Sequence, residues 1–595
     1  MVYNVNKSYQ EVTDLGETKT GYPSADKPWL KYFKDEHLKD TAQECTVFQS
    51  IYENNKDYPK DIALNYFGNK ISFGELFSSV DRCTKTLRKI GINRGSCVTL
   101  CTAGVPEAVY IVLACSRIGA IANFINPLFS KEQIRDRVNE TNADWIFILD
   151  EMYSYIEDAL PETCVSNIVI IPVTNSVPSM ASKMLYMKSK ARKILKEKHD
   201  NNFLSYNDFI EAGSGYSGEL DSPYEKDTPV VMVYSSGSTG ASKGIQLTND
   251  GINAVILNHK RDVFYGKRNY TFLSVIPVWF STGIVLSVLM PLAHGVCVIP
   301  EPQFSKETFA RDLKKYKPSS TLTATSLWIY VATSDETKDI DLSNMIYPGT
   351  GGEKISKKDE AMLNDFFKEH GCKVDLIKGY GMCELGSEVT GTIAADGYKT
   401  KPGGAGYPIL HSIVSAFDRE TNEELKYGEH GEIRVCSPTH MKGYYKNPKA
   451  TEDYFWTDEH GITWGCTGDI GYVDEDGEVF VLGRATDSCI CDNGENVYMF
   501  DIEDVIIDEE TINQCKVVDI KEDGATKLVA HLVFKDGVED KDAVIQKVHL
   551  NLKNTLPGYM VPDYYKIREA MPVHPNGKRD SESLKRDTEE LIKIQ

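Results

Sequence analysis

The chain has 595 residues, of which 41% are hydrophobic and 26% are charged. At roughly 100–200 residues per domain, this length predicts several domains, and the composition is typical of a packed protein rather than a disordered one. The net charge of −21 argues against a protein that reads the phosphate backbone of nucleic acid, although glycine loops and single lysines still bind a nucleotide as a small ligand.

The ends and the most apolar segments of the chain indicate no membrane insertion. No basic stretch followed by an apolar core stands at the N-terminus, so no signal peptide is visible and we expect a cytoplasmic protein. The longest apolar stretches, near residues 108–128 and 284–300, are interrupted by charged or helix-breaking residues and predict buried helices and strands. Fourteen cysteines are scattered along the chain. Cys489 and Cys491 lack further Cys or His neighbours, which favours reduced thiols over a metal site.

The first two thirds of the chain alternate between helix and strand patterns. Residues 1–45 are polar and are predicted to be a packed extension. Ser72 to Glu75 has the form of a capping box, and apolar residues then follow at helical spacing until Gly91. Further strands are predicted at Val230–Tyr234, Ser319–Thr325 and Val374–Ile377, and further helices at residues 250–260, 305–316 and Ser356–His370. This alternation predicts an α/β fold with parallel sheets covered by helices on both faces.

The pattern changes near residue 405. Short strands and glycine-rich turns, as in Gly428–Cys436 and Gly471–Gly483, predict a β-rich subdomain. A last unit of α+β character follows. We therefore predict a large domain over residues 46–483 and a small C-terminal domain over residues 484–595.

The segment from Tyr234 to Gly244 reads YSSGSTGASKG and has the composition of a phosphate-binding loop. Glycines let backbone N–H groups approach an anion, hydroxyls donate to phosphate oxygens or ligate Mg²⁺, and the lysine supplies a charge. The segment is not a Walker A loop. The alternative is a flexible linker. The strand predicted before the segment and the helix predicted after it argue against a linker. The predicted phosphate-binding residues are Ser235, Ser236, Gly237, Ser238, Thr239, Gly240 and Lys243.

This segment resembles the phosphate-binding loop of the adenylate-forming superfamily, which includes acyl-CoA synthetases, luciferases and the adenylation domains of peptide synthetases. Further segments similar to signature motifs of that superfamily follow in order, and the resemblance covers about residues 45–585. They are Pro277–Gly283, Gly351–Lys354, Tyr380–Glu384, Met441–Thr451, Thr467–Asp469, Gly483–Asp487, Gly494–Tyr498 and the stretch from Pro572 to Lys578.

The resemblance implies a site for ATP and Mg²⁺. Tyr380 would stack on adenine, Asp469 would accept both ribose hydroxyls, and Glu384 with Ser235 would ligate Mg²⁺. A core aromatic is the alternative for Tyr380, and an Asx turn is the alternative for Asp469. Besides the loop, the implied nucleotide-binding residues are Gly352, Glu353, Lys354, Tyr380, Gly381, Met382, Cys383, Asp469, Arg484 and Lys578.

The implied reaction is the attack of a carboxylate on the α-phosphorus of ATP. Both partners are anionic, so neutralisation of charge and alignment are the main requirements. Lys243, Lys578 and Glu384 with its Mg²⁺ would supply the neutralisation, and one carboxylate suits an ion that keeps several waters. The resemblance also implies an acyl pocket walled by Trp279, Phe280, Gly283 and Gly351, although the two aromatics are equally consistent with ordinary core.

The C-terminal domain is implied to rotate about a hinge at Asp487. In one orientation Lys578 would reach ATP. In the other, the hairpin around Gly494 would admit the thiol of coenzyme A, and a glycine needed only for a tight turn is the alternative there. Cys383 and Thr486 depart from the family pattern, in which threonine and lysine are common at these positions.

The leading hypothesis is therefore an acyl-CoA or aryl-CoA synthetase that uses a small carboxylic acid, ATP and CoA. A stand-alone ligase that loads a carrier protein is the alternative. Residues 277–290 contain no Asp or Glu, so an amino acid substrate is not expected. A non-catalytic nucleotide sensor is a third hypothesis, disfavoured because Glu384 and Lys578 are both present. The sequence leaves the acid and the oligomeric state open.

Overall fold

The computed structural model describes residues 19–178, 188–198, 202–235, 242–259, 268–303, 305–392, 400–490, 496–522, 524–572 and 580–594. Strands of the first two thirds of the chain are β1 (Ile62–Tyr66), β2 (Asn69–Ser72), β3 (Cys97–Cys101), β4 (Ile121–Phe124), β5 (Trp145–Leu149), β6 (Asn167–Ile171), β7 (Phe203–Ser205), β8 (Pro229–Tyr234), β9 (Gly244–Thr248), β10 (Thr271–Ser274), β11 (Cys297–Pro300), β12 (Ser320–Thr323), β13 (Tyr347–Gly351), β14 (Ile377–Tyr380), β15 (Thr390–Gly391) and β16 (Tyr407–Pro408).

Strands of the last third are β17 (Ile413–Phe417), β18 (Gly431–Cys436), β19 (Gly443–Tyr444), β20 (Phe455–Thr457), β21 (Thr463–Val473), β22 (Val479–Arg484), β23 (Ser488–Ile490), β24 (Asn496–Tyr498), β25 (Ile512–Glu522), β26 (Ala525–Phe534) and β27 (Tyr564–Arg568).

Helices of the first half are α1 (Pro23–Asp26), α2 (Asp35–Leu38), α3 (Val47–Asn55), α4 (Phe73–Lys89), α5 (Pro106–Ile118), α6 (Lys131–Thr141), α7 (Tyr153–Ile156), α8 (Lys190–Glu197), α9 (Tyr206–Ala212), α10 (Asn249–His259) and α11 (Met290–Ala293). Those of the second half are α12 (Lys306–Tyr316), α13 (Thr325–Thr333), α14 (Lys357–Glu369), α15 (Pro448–Tyr454), α16 (Met499–Ile507), α17 (Lys541–Thr555) and α18 (Ser581–Arg586).

Two large sheets with parallel centres organise the first two thirds of the chain. One has the strand order β19-β9-β8-β4-β3-β5-β6-β7, and the other has the order β16-β15-β14-β13-β12-β10-β11-β1-β2. Strands such as β3, β4 and β5 are almost completely buried, as strands covered by helices on both faces must be. The predicted α/β architecture is confirmed.

The capping box predicted for α4 is present. Ser72 accepts a hydrogen bond from the backbone of Glu75, and the Glu75 carboxylate accepts one from the backbone of Ser72. The apolar residues at helical spacing after it are buried. One strand is displaced from its predicted place, because β14 begins at Ile377, the residue at which the prediction ends it. The backbone of β14 pairs with β13 from Gly349↔Ile377 to Gly351↔Gly379, and this pairing defines the strand rather than the apolar run before it.

The predicted β-rich subdomain is also confirmed. Antiparallel strands in the order β17-β18-β21-β20, with β22 on β21, form its sheet. The described part of the N-terminal extension packs on it, with Trp29 fully buried against Phe417 and Trp464. After Arg484 come the elements that we name the C-terminal unit, namely β23 to β27 and α16 to α18.

Within the described ranges, no helix is both long enough and apolar enough to cross a membrane. The cysteines in these ranges form no disulfide, and Cys491 lies outside them.

Candidate active site

The ends of the glycine-rich loop are joined by hydrogen bonds. The Ser235 N–H donates to the Lys243 carbonyl at 3.1 Å, and the Lys243 N–H donates to Ser235 Oγ at 3.0 Å. The loop connects two antiparallel strands, β8 and β9, and not a strand and a helix as predicted, because the helix α10 begins only after β9. Ser236, Gly237, Ser238, Thr239 and Gly240 lie outside the described residues.

A two-residue strand from a distant motif adds to the edge beside this loop. In β19, Gly443 pairs with Gln246 and Tyr444 pairs with Ile245 of β9. The Tyr445 N–H donates to the Gly244 carbonyl at 2.7 Å, which continues the pairing to the end of the loop. Tyr444 therefore stands next to Lys243, whose ammonium lies 5.0 Å from the centre of the Tyr444 ring.

Tyr444 also contacts Glu384, the predicted magnesium ligand. Its hydroxyl donates to Glu384 Oε1 at 2.9 Å. Burial, followed by the charge of Glu384, raises the pKa of the Tyr444 hydroxyl, so the tyrosine remains a donor at neutral pH. The Glu384 carbonyl accepts from the Met441 N–H at 2.8 Å, so the two motifs are joined through backbone as well.

A second group of polar side chains surrounds Asp469. The Tyr380 hydroxyl donates to Asp469 Oδ2 at 2.6 Å, and Arg484 Nε lies 3.0 Å from Asp469 Oδ1. Asp469 on β21 and Arg484 on β22 are direct cross-strand partners, which explains their contact. Burial, followed by the Asp469 charge, raises the pKa of Tyr380.

Two contacts bear on the alternatives given above, an Asx turn for Asp469 and a core aromatic for Tyr380. The side chain that closes the turn is Thr467, whose Oγ1 accepts from the Asp469 N–H at 3.1 Å. The Asp469 carboxylate is thereby left for Tyr380 and Arg484. The Tyr380 hydroxyl has a polar partner, and the ring packs against the core that contains Leu385 and Val389, so a core aromatic stays the alternative.

The two groups form one site. The segment from Tyr380 to Glu384 joins them, because Tyr380 contacts Asp469 and Glu384, four residues later, contacts Tyr444. Residues more than 200 positions apart, from Lys243 to Arg484, thus meet at one place. An arrangement of one ammonium, two carboxylates and two tyrosine hydroxyls suits a ligand that carries phosphates and neighbouring hydroxyls.

Residues 351–354, the segment predicted to lie against adenine, have different surroundings. Gly352 has φ +82° and open space at its Cβ position, so the chain turns there and leaves room beside it. Glu353 follows in the same exposed turn. Lys354 points to the C-terminal unit, where its ammonium lies 2.8 Å from both carboxylate oxygens of Asp504.

The predicted acyl-pocket segment is tightly folded. A Cβ on Gly283 would lie 2.1 Å from the Pro277 carbonyl oxygen, so glycine is required there for close backbone approach. Trp279 is buried and Phe280 partly buried, with ring centroids 6.2 Å apart. A π-helix, Thr282–Leu289, follows, and π-helical turns occur frequently at functional sites.

One hydrogen bond joins this segment to the nucleotide motif. Ser281 donates its hydroxyl to Cys383 Sγ at 3.2 Å. The cysteine at the usual threonine position therefore connects the two segments. Gly381 and Met382 lie beside it in the turn after β14, and a Cβ on Gly381 would lie 2.0 Å from the Ser387 carbonyl oxygen.

The donor set fits a magnesium ion better than a metal with several protein ligands. No three His, Cys, Asp or Glu side chains cluster anywhere in the part of the chain that the structure describes. Glu384 is buried, and Tyr444 occupies only its Oε1. A single carboxylate with one oxygen left matches an ion that keeps most of its waters.

Asp487, the predicted hinge residue, is bound to the C-terminal unit. Its carboxylate lies 2.7 Å from the ammonium of Lys516, which also lies 3.2 Å from Glu503. Its carbonyl accepts from the Met499 N–H at 3.0 Å. Gly494 and Lys578 lie outside the described residues.

Sequence reasoning missed Tyr444 as a site residue. The motif that contains it was identified from residues 441–451, but no task was assigned to its tyrosines. The alternation of β19 against the edge of β9 decides which of the two adjacent tyrosines faces the site, and that pairing is not visible in a single sequence.

Comparisons with known proteins identify the family to which the chain is similar. A family model described as "AMP-binding enzyme" matches residues 51–445. The chain is 25% identical over 561 residues to a long-chain-fatty-acid–CoA ligase of Bacillus subtilis, covering 93% of this chain and 96% of the relative. It is 24% identical over 519 residues to 4-coumarate–CoA ligase 1 of Arabidopsis thaliana, covering 86% of each. The solved anthranilate CoA ligase AuaEII, in complex with anthranoyl-AMP, superposes with a TM-score of 0.76 at 20% identity, covering 92% of this chain and 97% of that one.

The Tyr444→Phe variant tests the contact between Tyr444 and Glu384. It removes one hydrogen bond to a carboxylate and keeps the ring beside Lys243, so we expect ATP–pyrophosphate exchange to slow about tenfold and to need more Mg²⁺. Tyr445→Phe is the matched control, because that ring packs beside Cys97 away from the site. Equal activity of the two variants would contradict the assigned contact.

Proposed function

The chain belongs to the family of AMP-binding enzymes, and on this basis we propose that it activates a carboxylic acid as its acyl-AMP and then transfers the acyl group to coenzyme A. The matched family supports the first half of the reaction. The relatives from Bacillus subtilis and Arabidopsis thaliana are both named as CoA ligases, which supports the second half.

The observation that carries the proposal is the convergence of Lys243, Glu384 and Asp469 around two tyrosines. The three groups come from segments that are far apart in sequence, and each has the chemistry required by a different part of ATP. A lysine suits the phosphates, a carboxylate beside a loop hydroxyl suits Mg²⁺, and a carboxylate on a rigid strand suits the ribose hydroxyls.

In the first half-reaction, a carboxylate oxygen of the acid attacks the α-phosphorus of ATP, and the bond to the bridging oxygen of pyrophosphate breaks. Lys243 and Lys578 offset the negative charge that gathers at the phosphates, together with the amides of the loop that Ser235 closes. Mg²⁺, when bound at Glu384, supplies further charge neutralisation. Tyr380 stacks on adenine, and Asp469, which keeps its contact with Arg484, accepts from the ribose hydroxyls.

In the second half-reaction, the thiol of CoA attacks the carbonyl carbon of the acyl-AMP, and AMP leaves. We propose that residues 484–595 form a domain that rotates about Asp487 against residues 46–483, so that Lys578 withdraws and the hairpin at Gly494 approaches. A glycine that only serves a tight turn remains the alternative for Gly494. A carrier-protein phosphopantetheine is the alternative acceptor.

The direct test incubates the protein with ATP, Mg²⁺ and a panel of fatty, aryl and hydroxy acids. We expect acid-dependent pyrophosphate release and, on addition of CoA, an acyl-CoA product detected by mass spectrometry. Pyrophosphate release without acyl-CoA would favour a carrier protein as the acceptor. Nucleotide binding without pyrophosphate release from any acid would favour a sensor and contradict the proposal.

Lys578→Ala tests the role of that lysine in the first half-reaction alone. We expect acyl-AMP formation to fall about 10²–10³-fold, because a charge that stabilises the transition state is lost. Thioester formation from supplied acyl-AMP should be nearly unchanged. Lys553→Ala, on the exposed face of α17, is the control and should affect neither step. An equal loss in both half-reactions would contradict the two-orientation model.

Asp487→Pro tests the hinge. Proline fixes φ and removes the N–H that donates to the Arg484 carbonyl at 2.9 Å, so rotation at this residue should be hindered. We expect acyl-AMP formation to survive and thioester formation to fall at least tenfold. Asp487→Ala separates the two causes, because it removes the contact with Lys516 but leaves the backbone free. If alanine has the same effect as proline, the ion pair and not the backbone is responsible.

A further inference from the structure

Three glycines stand side by side across neighbouring strands next to the proposed site. Gly351 on β13 pairs with Gly379 on β14, and Gly379 pairs with Gly391 on β15. Directly paired residues present their Cβ positions on the same face of a sheet, so the three positions form a row without side chains. Neighbouring strands are about 4.8 Å apart, and the row is therefore about 10 Å long.

A carboxylate covers one end of this row. Glu388 Oε1 lies 2.8 Å from the Cβ position of Gly379 and 3.0 Å from that of Gly391, so neither position accepts a side chain while Glu388 stays in place. At the other end, only the Gly379 carbonyl group, part of the sheet itself, lies within 4 Å of the Gly351 Cβ position. We name the space above this row, from Gly351 to the carboxylate of Glu388, the trough.

Glu388 is held firmly in this position. Its Oε2 shares a hydrogen bond of 2.6 Å with His259 Nε2 from the end of α10, and both side chains are buried. The residue before it, Ser387, has φ +118°, a backbone conformation that is unfavourable for a residue other than glycine. Such strain persists where surrounding structure enforces it, and here it sets the direction of Glu388.

Glu388 Oε1 is presented to the trough as a hydrogen-bond acceptor. Within the described residues, the hydrogen bond of this carboxylate uses Oε2, and no donor from the chain reaches Oε1. A buried carboxylate with a single partner is costly, and replacing a buried polar pair by apolar side chains is often neutral or stabilising. A pair with only a packing role therefore does not explain why a carboxylate stands at the end of the trough.

We infer that the acid activated by this enzyme carries a hydrogen-bond donor, a hydroxyl or amino group, at the end remote from its carboxylate, and that Glu388, positioned by His259, accepts from it. The inference rests on the proposed function, because Gly351 belongs to the acyl pocket that the resemblance implies. Glu388 covers two of the three glycine positions, so the row does not fix the length of the acid, and the test uses acids of different lengths. In this inference, Glu388 determines which acids the enzyme prefers.

The test compares acids in matched pairs that differ by one donor group. Suitable pairs are butyric and 4-hydroxybutyric acid, octanoic and 8-hydroxyoctanoic acid, cinnamic and 4-hydroxycinnamic acid, and cinnamic and 4-aminocinnamic acid. The readout is kcat/KM for pyrophosphate release. For the pair that fits best, we expect the donor-bearing acid to be preferred by about tenfold to hundredfold, since a site built around a buried acceptor rejects a ligand that leaves it unpaired.

Variants assign that preference to Glu388. In Glu388→Val the ratio should fall below one, because the trough end becomes apolar, and in Glu388→Gln, which keeps a neutral acceptor, it should shrink severalfold. Glu360→Gln is the matched control. Its carboxylate is also buried and paired, 2.7 Å from the ammonium of Lys378, but outside the trough, so the ratio should stay unchanged. Thermal melting of each variant identifies a general loss of folding. If Glu388→Val fails to fold, the preference ratio is compared between the wild type and Glu388→Gln.

The outcomes separate this inference from the proposed function. Pyrophosphate release in which the donor-bearing acids are not preferred overturns the inference alone, as does a Glu388 variant that slows all acids equally and keeps the ratio. A complete absence of acid-dependent release or of ATP–pyrophosphate exchange contradicts the proposed function and the inference with it.

Discussion

The pairing of β19 with the edge of β9 is the interaction on which the rest of the site depends. It spans only Gly443 and Tyr444, yet it brings the tyrosine that contacts Glu384 to the side of Lys243. Gly443 has φ +145°, and a Cβ there would lie 2.8 Å from the Thr451 methyl group, so a side chain at this position would displace the strand. Without the pairing, the lysine at the end of the loop and the carboxylate after β14 would have no common neighbour.

A single turn then connects the two halves of the site. Between Tyr380 and Thr390 the chain doubles back, and the Gly381 backbone approaches the Ser387 carbonyl closely enough to require glycine. Glu384 lies on one side of this turn, towards the proposed nucleotide, and Glu388 on the other, above the glycine row. The position of the acid and the position of Mg²⁺ are therefore set by the same few backbone hydrogen bonds.

The sequence alone was sufficient for the fold class and for most helices, because these depend on local signals. The capping box at Ser72 and the spacing of apolar residues after it predict α4, and the apolar run before the glycine-rich loop predicts β8. The displaced start of β14 has a different cause. Its residues Lys378 and Gly379 have low strand propensity, and the strand forms there because β13 lies alongside.

The site was predictable as a set of motifs but not as a set of contacts. Asp469 and Arg484 were both named from the sequence, and their pairing follows only from the register of β21 and β22. Tyr444 and Glu388 were missed because their partners come from other parts of the chain, at β9 and at the end of α10. A single sequence contains no signal for such long-range pairs. The glycines themselves are visible in the sequence. That the backbone of a neighbouring strand approaches them closely becomes clear only from the structure.

The contacts around Asp487 limit where the proposed rotation can occur. On the N-terminal side, Arg484 pairs with Asp469, and the Ala485 N–H donates to the Gly468 carbonyl at 2.8 Å. These two residues begin the proposed C-terminal domain but are bound to the β-rich sheet, so we place the rotation after them. On the other side, Lys516 holds the Asp487 carboxylate within the C-terminal unit. The proposed rotation of the C-terminal unit would therefore change the backbone torsion angles between Ala485 and Asp487. Hinge rotations of this kind require few residues. The contact between Arg484 and Asp469 would then persist in both orientations. The site for the nucleotide would stay formed while the C-terminal unit exchanges Lys578 for the hairpin at Gly494.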